Sequence, residues 1–490
     1  MRDPQVAGTL EQNSWTDVRV IPLDDTHWRA TFTNGPRVLL DAAVGPDGSV
    51  DALEKRTPGS HPPGSAVLWA PPVLVLLALL FVIAVGVRPL RSLRNLDTGV
   101  VAAGFTLSAL LLDARLVALH IYTGVACLAY LAVRCAQVGF RAPALATAVE
   151  PLYRRVFQRG DAPRLLRVAT AATLLGGLIV TVTSTGISDV AFAALAGATK
   201  LNHGDLPYGL LTSEVVHGDT YPLLTYVLYM PFAAISPVRD SFDSLDGALW
   251  LNALALIAGA AVLYRLAGRR EGGVATTLAW LAFPPVLLAS SSGGNDVPAA
   301  LLVALALALF ARPALSAGAL ALAGLTKVVP AVALVVWLPR LRDRSLASAC
   351  AAVVLALALT LAALLVVGDG GGLRDSWNAI RFQFERGSWY SLWQQTGTRS
   401  AQPVFQAATV AFAAVAAFEI WRQGPAAIGL RRAAALAGAV VALLQIAANY
   451  WTYAYLPWLL PLILVALLPS VAAVAPPALP RSRPLARRAP

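Results

Sequence analysis

Long apolar runs without a charged residue are the feature that most restricts how this chain can fold. Residues 73–87, 355–367 and 459–468 contain no acidic or basic side chain. Inside a hydrocarbon layer each backbone N–H and C=O needs a partner within the protein, so continuous runs of this kind form helices. The runs are rich in Ala and Leu and do not alternate, which argues against a β-barrel. The sequence therefore predicts an all-α polytopic membrane protein.

The composition agrees with this prediction. Charged residues make up 13% of the chain, about half of the roughly 25% that is usual in soluble domains. The net charge of +11 would suit nucleic-acid binding in a soluble protein. Here, however, the arginines lie in short segments between apolar runs, the pattern that sets membrane orientation, so no nucleic-acid partner is expected. The three cysteines lie in apolar segments and provide neither a disulfide framework nor a metal site.

The arginine clusters give one consistent threading when all of them are placed in the cytoplasm. Helices are then expected near residues 67–87, 98–112, 116–136, 166–187, 246–266, 274–290, 296–311, 345–367, 403–421, 432–448 and 453–469. The stretch 314–338 begins and ends on the basic side, and two half-helices fit its length. This threading predicts a plasma-membrane protein with its N-terminus outside and its C-terminus in the cytoplasm. Segments 188–245, 369–402 and 449–453 face the outside, where the functional residues are expected.

The chain divides into five expected regions. Residues 1–66 form a small extracytoplasmic β-rich head with a Pro/Gly linker. Residues 67–140 hold three accessory helices, 141–165 a basic cytoplasmic connection, 166–470 the functional membrane core and 471–490 a basic cytoplasmic tail. Alternating stretches in the head predict strands near 17–21, 28–33 and 38–44, with turn signals at Asn34-Gly35 and Asp47-Gly48. Because the head is too short for a large core, we expect an accessory module.

Polar residues gather in segment 188–245, which also holds two expected interfacial helices, 190–201 and 221–235. Asp189 stands at the outer end of a membrane helix, and Tyr208, His217, Asp219 and Tyr221 follow. Ser188-Asp189 also fits a helix N-cap, and Asp219 fits a turn before a helix. His203 and His217 lie near Asp219, but two histidines so far apart in a loop are usually solvated, so no metal is expected.

The remaining candidates lie in later segments. Asn295-Asp296 separates two helices, where the pair either caps a helix or serves the site, since a carboxylate at the membrane edge is costly. Lys327 stands in an otherwise apolar stretch, with snorkelling to the interface as the alternative to a functional role. Arg381 and Arg386 belong to a charged aromatic loop that suits either sugar stacking or interface anchoring, and Tyr450 precedes the last helix.

Taken in order, these motifs resemble the GT-C glycosyltransferases, and within them glycosyltransferase family 87, the polyprenyl-phosphate-mannose-dependent mannosyltransferases. The resemblance rests on Asp189, Pro207-Tyr208, Tyr221-Pro222, Asn295-Asp296 and Lys327 with Pro330, and covers residues 166–470. It implies an inverting transfer in which Asp189 deprotonates an extracytoplasmic lipid or glycan acceptor. Lys327, Arg381 and Arg386 are candidates to stabilise the departing phosphate. Tyr208, His217, Asp219, Tyr221, Asn295, Asp296 and Tyr450 are candidate substrate-binding residues.

A lipid-phosphate sugar is itself the donor substrate, so no cofactor is expected. The Gly-rich stretch 368–372 lacks the Lys-Ser/Thr that completes a P-loop. The sequence departs from the family pattern at Phe192, where a Tyr is common, and in having no His before the last helix. A transporter or flippase of lipid-linked sugars is the alternative function, because broken helices with charged residues also occur there. Such a protein should have pseudo-symmetric halves, and the sequence contains no internal repeat of that kind.

Overall fold

The computed structural model describes most of the chain. It covers Ala7, Leu10 and residues 15–22, 28–34, 37–55, 61–86, 92–141, 162–208, 219–238, 244–268, 271–341, 343–367, 372–385, 387–388, 390–424 and 428–468. Helices dominate these residues, and a small sheet lies near the N-terminus. The predicted all-α polytopic membrane protein is confirmed.

The N-terminal sheet is an antiparallel meander of four strands. These are β1 (Asp17–Pro22), β2 (Trp28–Asn34), β3 (Arg37–Val44) and β4 (Val50–Lys55), paired in chain order. The first three correspond to the expected strands, whereas β4 was not predicted from the sequence. The turn before β4 has the expected chemistry, since Gly48 adopts φ +80° and Ser49 N donates to Asp47 Oδ1 at 2.9 Å. Phe32 and Leu40 are buried in its small core.

The helices that follow the sheet lie where the three accessory spans were expected, although Pro71–Val85, in the place of the first, is shorter than a full span. They are α1 (Ala66–Trp69), α2 (Pro71–Val85), α3 (Leu93–Gly99), a π-helical turn (Val100–Gly104), α4 (Phe105–Asp113) and α5 (Val117–Arg141). The helices α3 and α4 and the π-helical turn between them form one span, Leu93–Asp113. This span begins five residues before the expected start at residue 98.

The core region contains fifteen helices among the residues described. They are α6 (Ala162–Val182), α7 (Asp189–Asn202), α8 (Leu223–Ile235), α9 (Asp246–Leu266), α10 (Glu271–Leu281), α11 (Pro284–Ser291), α12 (Asp296–Ala308), α13 (Pro313–Thr326), α14 (Leu334–Trp337), α15 (Asp343–Val366), α16 (Gly372–Glu385), α17 (Leu392–Gln395), α18 (Gln402–Gln423), α19 (Leu430–Ala447) and α20 (Leu456–Ala466). Short 3₁₀ turns occur at Val329–Ala333, Arg399–Ala401 and Tyr453–Tyr455.

Seven of the described helices are long and apolar enough to cross a membrane, or eight if α10 and α11 form one bent span. Their burial differs widely. Of the most apolar 18-residue stretch in each helix, 72% is buried in α19, 17% in α6 and 11% in α15. The helix α19 therefore lies at the centre of the bundle, and α6 and α15 lie on its outer surface, where exposed leucines and valines face lipid.

Three helices of the core end within stretches for which the sequence predicts a helix or a half-helix. The expected helix 166–187 already ends at Val182, and four residues later Gly186 O accepts a hydrogen bond from Gly64 N. Pro284 and Pro285 open α11 at a bend of 57° from α10. The expected break within 314–338 is also present, since Lys327 adopts extended backbone angles and ends α13.

Candidate functional site

A buried ion pair lies at the break after α13. The Lys327 Nζ atom is 2.6 Å from Asp296 Oδ1 and 3.4 Å from Asn295 Oδ1. Lys327 is 8% exposed and Asp296 4% exposed, so both charges are removed from solvent. The snorkelling alternative for Lys327 is therefore wrong. Removing two charges from water is costly unless geometry and further hydrogen bonds compensate, which makes this pair a strong candidate for function.

Aromatic rings enclose the ion pair. Trp458 Nε1 donates to Asp296 Oδ1 at 3.0 Å. The Lys327 ammonium lies 4.5 Å from the ring centroid of Tyr455 and 5.9 Å from that of Tyr221. Both distances are within the range of cation–π attraction. The ion pair therefore has an aromatic wall, formed by Tyr221, Tyr455 and Trp458.

Asn295 holds the backbone beside Lys327. Its Nδ2 donates to Thr326 O and to Thr225 Oγ1, both at 3.1 Å, and Thr225 Oγ1 donates to Thr326 O at 2.5 Å. Asn295 occupies the N-cap position of α12, but its side chain makes no capping hydrogen bond there. The interpretation of Asn295 as a simple cap is therefore wrong, because its amide links α8, α12 and the end of α13.

Asp189 lies at the start of α7 and is exposed. Ser188 is the residue that caps the helix, since its Oγ accepts from Ala191 N at 3.3 Å. The Asp189 carboxylate accepts from Val190 N at 2.9 Å, in the first turn, where the helix dipole favours a negative charge. Ser188 thus occupies the N-cap position, and Asp189 accepts a second N–H group of the first turn.

The start of α7 packs against the loop that leads to the ion pair. Ser188 N and Ser188 Oγ both donate to Ser292 O, at 2.9 and 3.0 Å. A Cβ built on Gly294 would lie 3.7 Å from Ser188 Oγ and 3.7 Å from Asp296 Oδ2. Gly294 therefore lies between Ser188, the residue before Asp189, and the carboxylate of Asp296.

The other end of α7 holds a second group of predicted residues. Tyr208 OH donates to Tyr221 O at 3.0 Å, and burial raises the pKa of Tyr208 above its usual value. Burial also lowers the pKa of Lys200, an effect that the nearby carboxylates of Asp205 and Asp219 oppose. Lys200 itself lies eleven residues after Asp189, about 16 Å along α7 at 1.5 Å per residue.

The remaining predicted residues differ in their positions. Tyr450 is half-buried, and its ring centroid lies 5.8 Å from that of Tyr455, which itself contacts Lys327. Arg381 is exposed on α16, whereas Lys327 is buried. His217 and Arg386 lie outside the residues that the structure describes. The structure thus brings Tyr221, Asn295, Asp296 and Lys327 together, with Tyr450 one ring further away.

Sequence reasoning did not identify Thr225, Tyr455 and Trp458 as parts of this cluster. Tyr455 and Trp458 are three residues apart, a spacing that places both on one face where a helix begins. That spacing was a usable signal. The role of Thr225 was not visible in the sequence, because its partners Thr326 and Asn295 come from other helices.

Comparison with known proteins gives one match. A sequence model of glycosyltransferase family 87 matches residues 220–489, more than half of the chain. The matched range contains Tyr221, Asn295, Asp296 and Lys327, and it begins after Asp189. Searches among curated proteins and among solved structures found no match.

Proposed function

Because this chain belongs to glycosyltransferase family 87 and is a multi-pass membrane glycosyltransferase, we propose that it is of the GT-C type and uses a polyprenyl-phosphate sugar. Mannose is the expected sugar, and the acceptor is an extracytoplasmic lipid or glycan. The transfer inverts the anomeric configuration. The N-terminus and the site lie outside the membrane, and the C-terminus lies in the cytoplasm.

The single observation that carries this proposal is the buried Lys327–Asp296 pair beside the start of α7. A polyprenyl-phosphate donor leaves as a phosphate anion, which needs cationic or N–H stabilisation rather than a proton. Lys327 offers such a cation beneath the rings of Tyr221 and Tyr455. Since Lys327 already pairs with Asp296, the phosphate shares the ammonium with that carboxylate instead of meeting an isolated charge.

The proposed reaction is a single displacement. The Asp189 carboxylate accepts the proton of the acceptor hydroxyl while the hydroxyl oxygen forms a bond to the anomeric carbon. The bond from that carbon to the phosphate oxygen breaks, and its electron pair leaves with the phosphate. A positioned base contributes about 10²–10⁴-fold to such a step. Exposure of Asp189 at the surface of α7 suits access by an acceptor from the outer side.

The second group of residues is assigned to substrate binding. Tyr221 contacts Lys327 and accepts from Tyr208 through its carbonyl, so it connects the ion pair with the far end of α7. Asp219 precedes Tyr221 by two residues in the chain. We assign Asp219 and Tyr208 to holding a part of the substrate that extends away from the reacting carbon.

The test is a transfer assay on the purified, reconstituted protein with labelled polyprenyl-phosphate mannose and membrane extracts as the acceptor source. Asp189→Asn should lower the rate by about 10²–10⁴-fold, because amide replacement removes the base. Asp205→Asn is the matched control, since Asp205 is an exposed carboxylate near the other end of α7. Undiminished transfer by Asp189→Asn would contradict the role of Asp189. Transbilayer movement of the lipid-linked sugar without a new glycosidic bond would indicate a flippase instead.

A further inference from the structure

A short segment before the first helix lies against the candidate site. Residues 61–66, here called the strap, join the N-terminal sheet region to α1 and lie outside the range that matches the family. The strap contacts three separate parts of the core. Each of these parts is next to a residue of the proposed site.

Three hydrogen bonds define the contact. Gly64 N donates to Gly186 O at 2.6 Å, and Ser65 N donates to Ser291 Oγ at 2.9 Å. Tyr453 OH donates to Pro63 O. Gly186 is three residues before Asp189, Ser291 ends α11 directly before the loop to Asp296, and Tyr453 is two residues before Tyr455. The strap thus joins the three segments that carry the base, the ion pair and the aromatic wall.

The contact is so close that it requires glycine on both sides. A Cβ on Gly186 would lie 2.1 Å from Gly64 O, which is a backbone atom and cannot rotate away. Gly64 itself has φ +124°, a conformation that favours glycine. A Cβ there would also lie 3.2 Å from Leu288 O and 3.3 Å from Ser291 Oγ. The backbone of the strap therefore packs directly on the backbone of Gly186, in the loop between α6 and α7.

The strap is fixed at both of its ends. His61 Nδ1 lies 2.6 Å from Asp113 Oδ1 at the end of α4. At the other end, the ring of Trp69 in α1 meets the ring of Tyr453 edge to face, with centroids 5.3 Å apart. Such fixed ends keep the three central hydrogen bonds in one arrangement, since the segment has little freedom to slide.

We propose that the strap is a positioning element of the glycosyltransferase site, which sets the spacing between Asp189 and the Lys327–Asp296 pair. This inference rests on the proposed function of that site. The strap does not touch the reacting atoms. It acts through the loops that lead into Asp189 and Asp296, so its loss shifts the relative position of these two residues while the ion pair and the aromatic wall persist. A misplacement of about 1 Å in such a geometry costs on the order of 100-fold in rate.

The first test is Gly186→Ala in the full-length protein, with Gly176→Ala as the matched control. Gly176 lies in α6, and a Cβ there would meet nothing within 4 Å. Gly186→Ala should lower kcat by on the order of 100-fold while KM for the donor is unchanged, because the donor-binding ion pair remains. Amide hydrogen exchange should become faster in residues 186–192 and 288–296. Gly176→Ala should match the unsubstituted protein in kcat and in exchange.

Tyr453→Phe is the second variant, because it removes only one hydroxyl and keeps the packed backbone. Loss of its hydrogen bond to Pro63 O should lower kcat by roughly twofold to tenfold with only a small decrease in Tm, since one hydrogen bond contributes about 0.5–1.5 kcal/mol. An unchanged kcat in Tyr453→Phe, or in a folded Gly186→Ala, overturns the positioning role. The exchange measurement needs no activity. If the unsubstituted protein forms no glycosidic bond, the proposed function fails, whereas exchange unchanged by Gly186→Ala refutes the strap alone.

Discussion

At the scale of single residues, the Lys327–Asp296 pair makes a prediction about stability. The Asp296 side chain is only 5% exposed, and Lys327→Met leaves its carboxylate without the cation that pairs with it. Breaking a buried pair in this way typically costs about 3–5 kcal/mol, because the remaining charge is uncompensated. We expect a lower Tm and a smaller free energy of unfolding for Lys327→Met in detergent solution, measured by thermal and by denaturant unfolding.

A double substitution separates stability from chemistry at this pair. Asp296→Asn removes the unpaired charge and keeps an oxygen that accepts from Trp458 Nε1. Lys327→Met combined with Asp296→Asn should therefore recover most of the lost stability. Sugar transfer should stay low, because the cation for the phosphate is still missing. Recovery of transfer along with stability would show that Lys327 has only a structural role.

The sequence identified both members of this pair but not their contact. Each was recognisable alone, since an ionisable residue in an apolar stretch is costly and rare. Their pairing depends on how α12 packs beside the end of α13, with the two residues 31 positions apart. No local pattern specifies that packing. The cost of burying a charge thus identified Lys327 and Asp296 as candidates, but it did not predict that the two side chains contact each other.

At the scale of elements, a second buried ion pair joins the accessory helices. Arg134 in α5 donates to Asp97 in α3 through Nε at 2.7 Å and through Nη2 at 3.0 Å, and Tyr130 OH adds a bond of 2.8 Å. Arg134→Lys keeps the charge but loses this two-pronged geometry. We expect a loss of about 1–3 kcal/mol in stability, measured by unfolding in detergent.

Arg422→Lys is the matched control for this prediction. Arg422 pairs with Glu419 on the exposed face of α18, with the arginine side chain 61% exposed. Exposed pairs of this kind contribute little, so Arg422→Lys should leave the Tm unchanged. Equal effects of the two substitutions would mean that the geometry of the Asp97 pair does not hold α3 against α5.

Element boundaries followed the sequence where the signals were local. The helix α9 has the predicted bounds, 246–266, whereas the expected helix 274–290 is bent at Pro284-Pro285, a local signal that the prediction did not use. The end of α6 was predicted five residues too late, although residues 183–186, Thr-Ser-Thr-Gly, already interrupt the apolar run. The contact of Gly186 with the strap was not visible in the sequence, because it joins parts of the chain more than a hundred residues apart.

At the scale of the whole molecule, the placement of every proposed residue depends on orientation, which the arginine clusters alone predict. Three single cysteines in a chain without its native cysteines test it. Ser49 in the sheet region, Thr398 before α18 and Ala311 between α12 and α13 are all exposed. The threading places the first two outside and Ala311 in the cytoplasm. A membrane-impermeant maleimide on intact cells should therefore label Ser49→Cys and Thr398→Cys, and label Ala311→Cys only after the membrane is opened.

The labelling pattern decides more than the topology, because the polyprenyl-phosphate donor and its acceptor have to meet at one face. If Ala311→Cys were labelled on intact cells and Thr398→Cys were protected, Asp189 at the start of α7 would face the cytoplasm, and an extracytoplasmic acceptor would be excluded. If Ser49→Cys alone were protected, the sheet region would lie opposite the site. That result would contradict the strap, since residues 61–66 have to reach Gly186, Ser291 and Tyr453 on one side of the membrane.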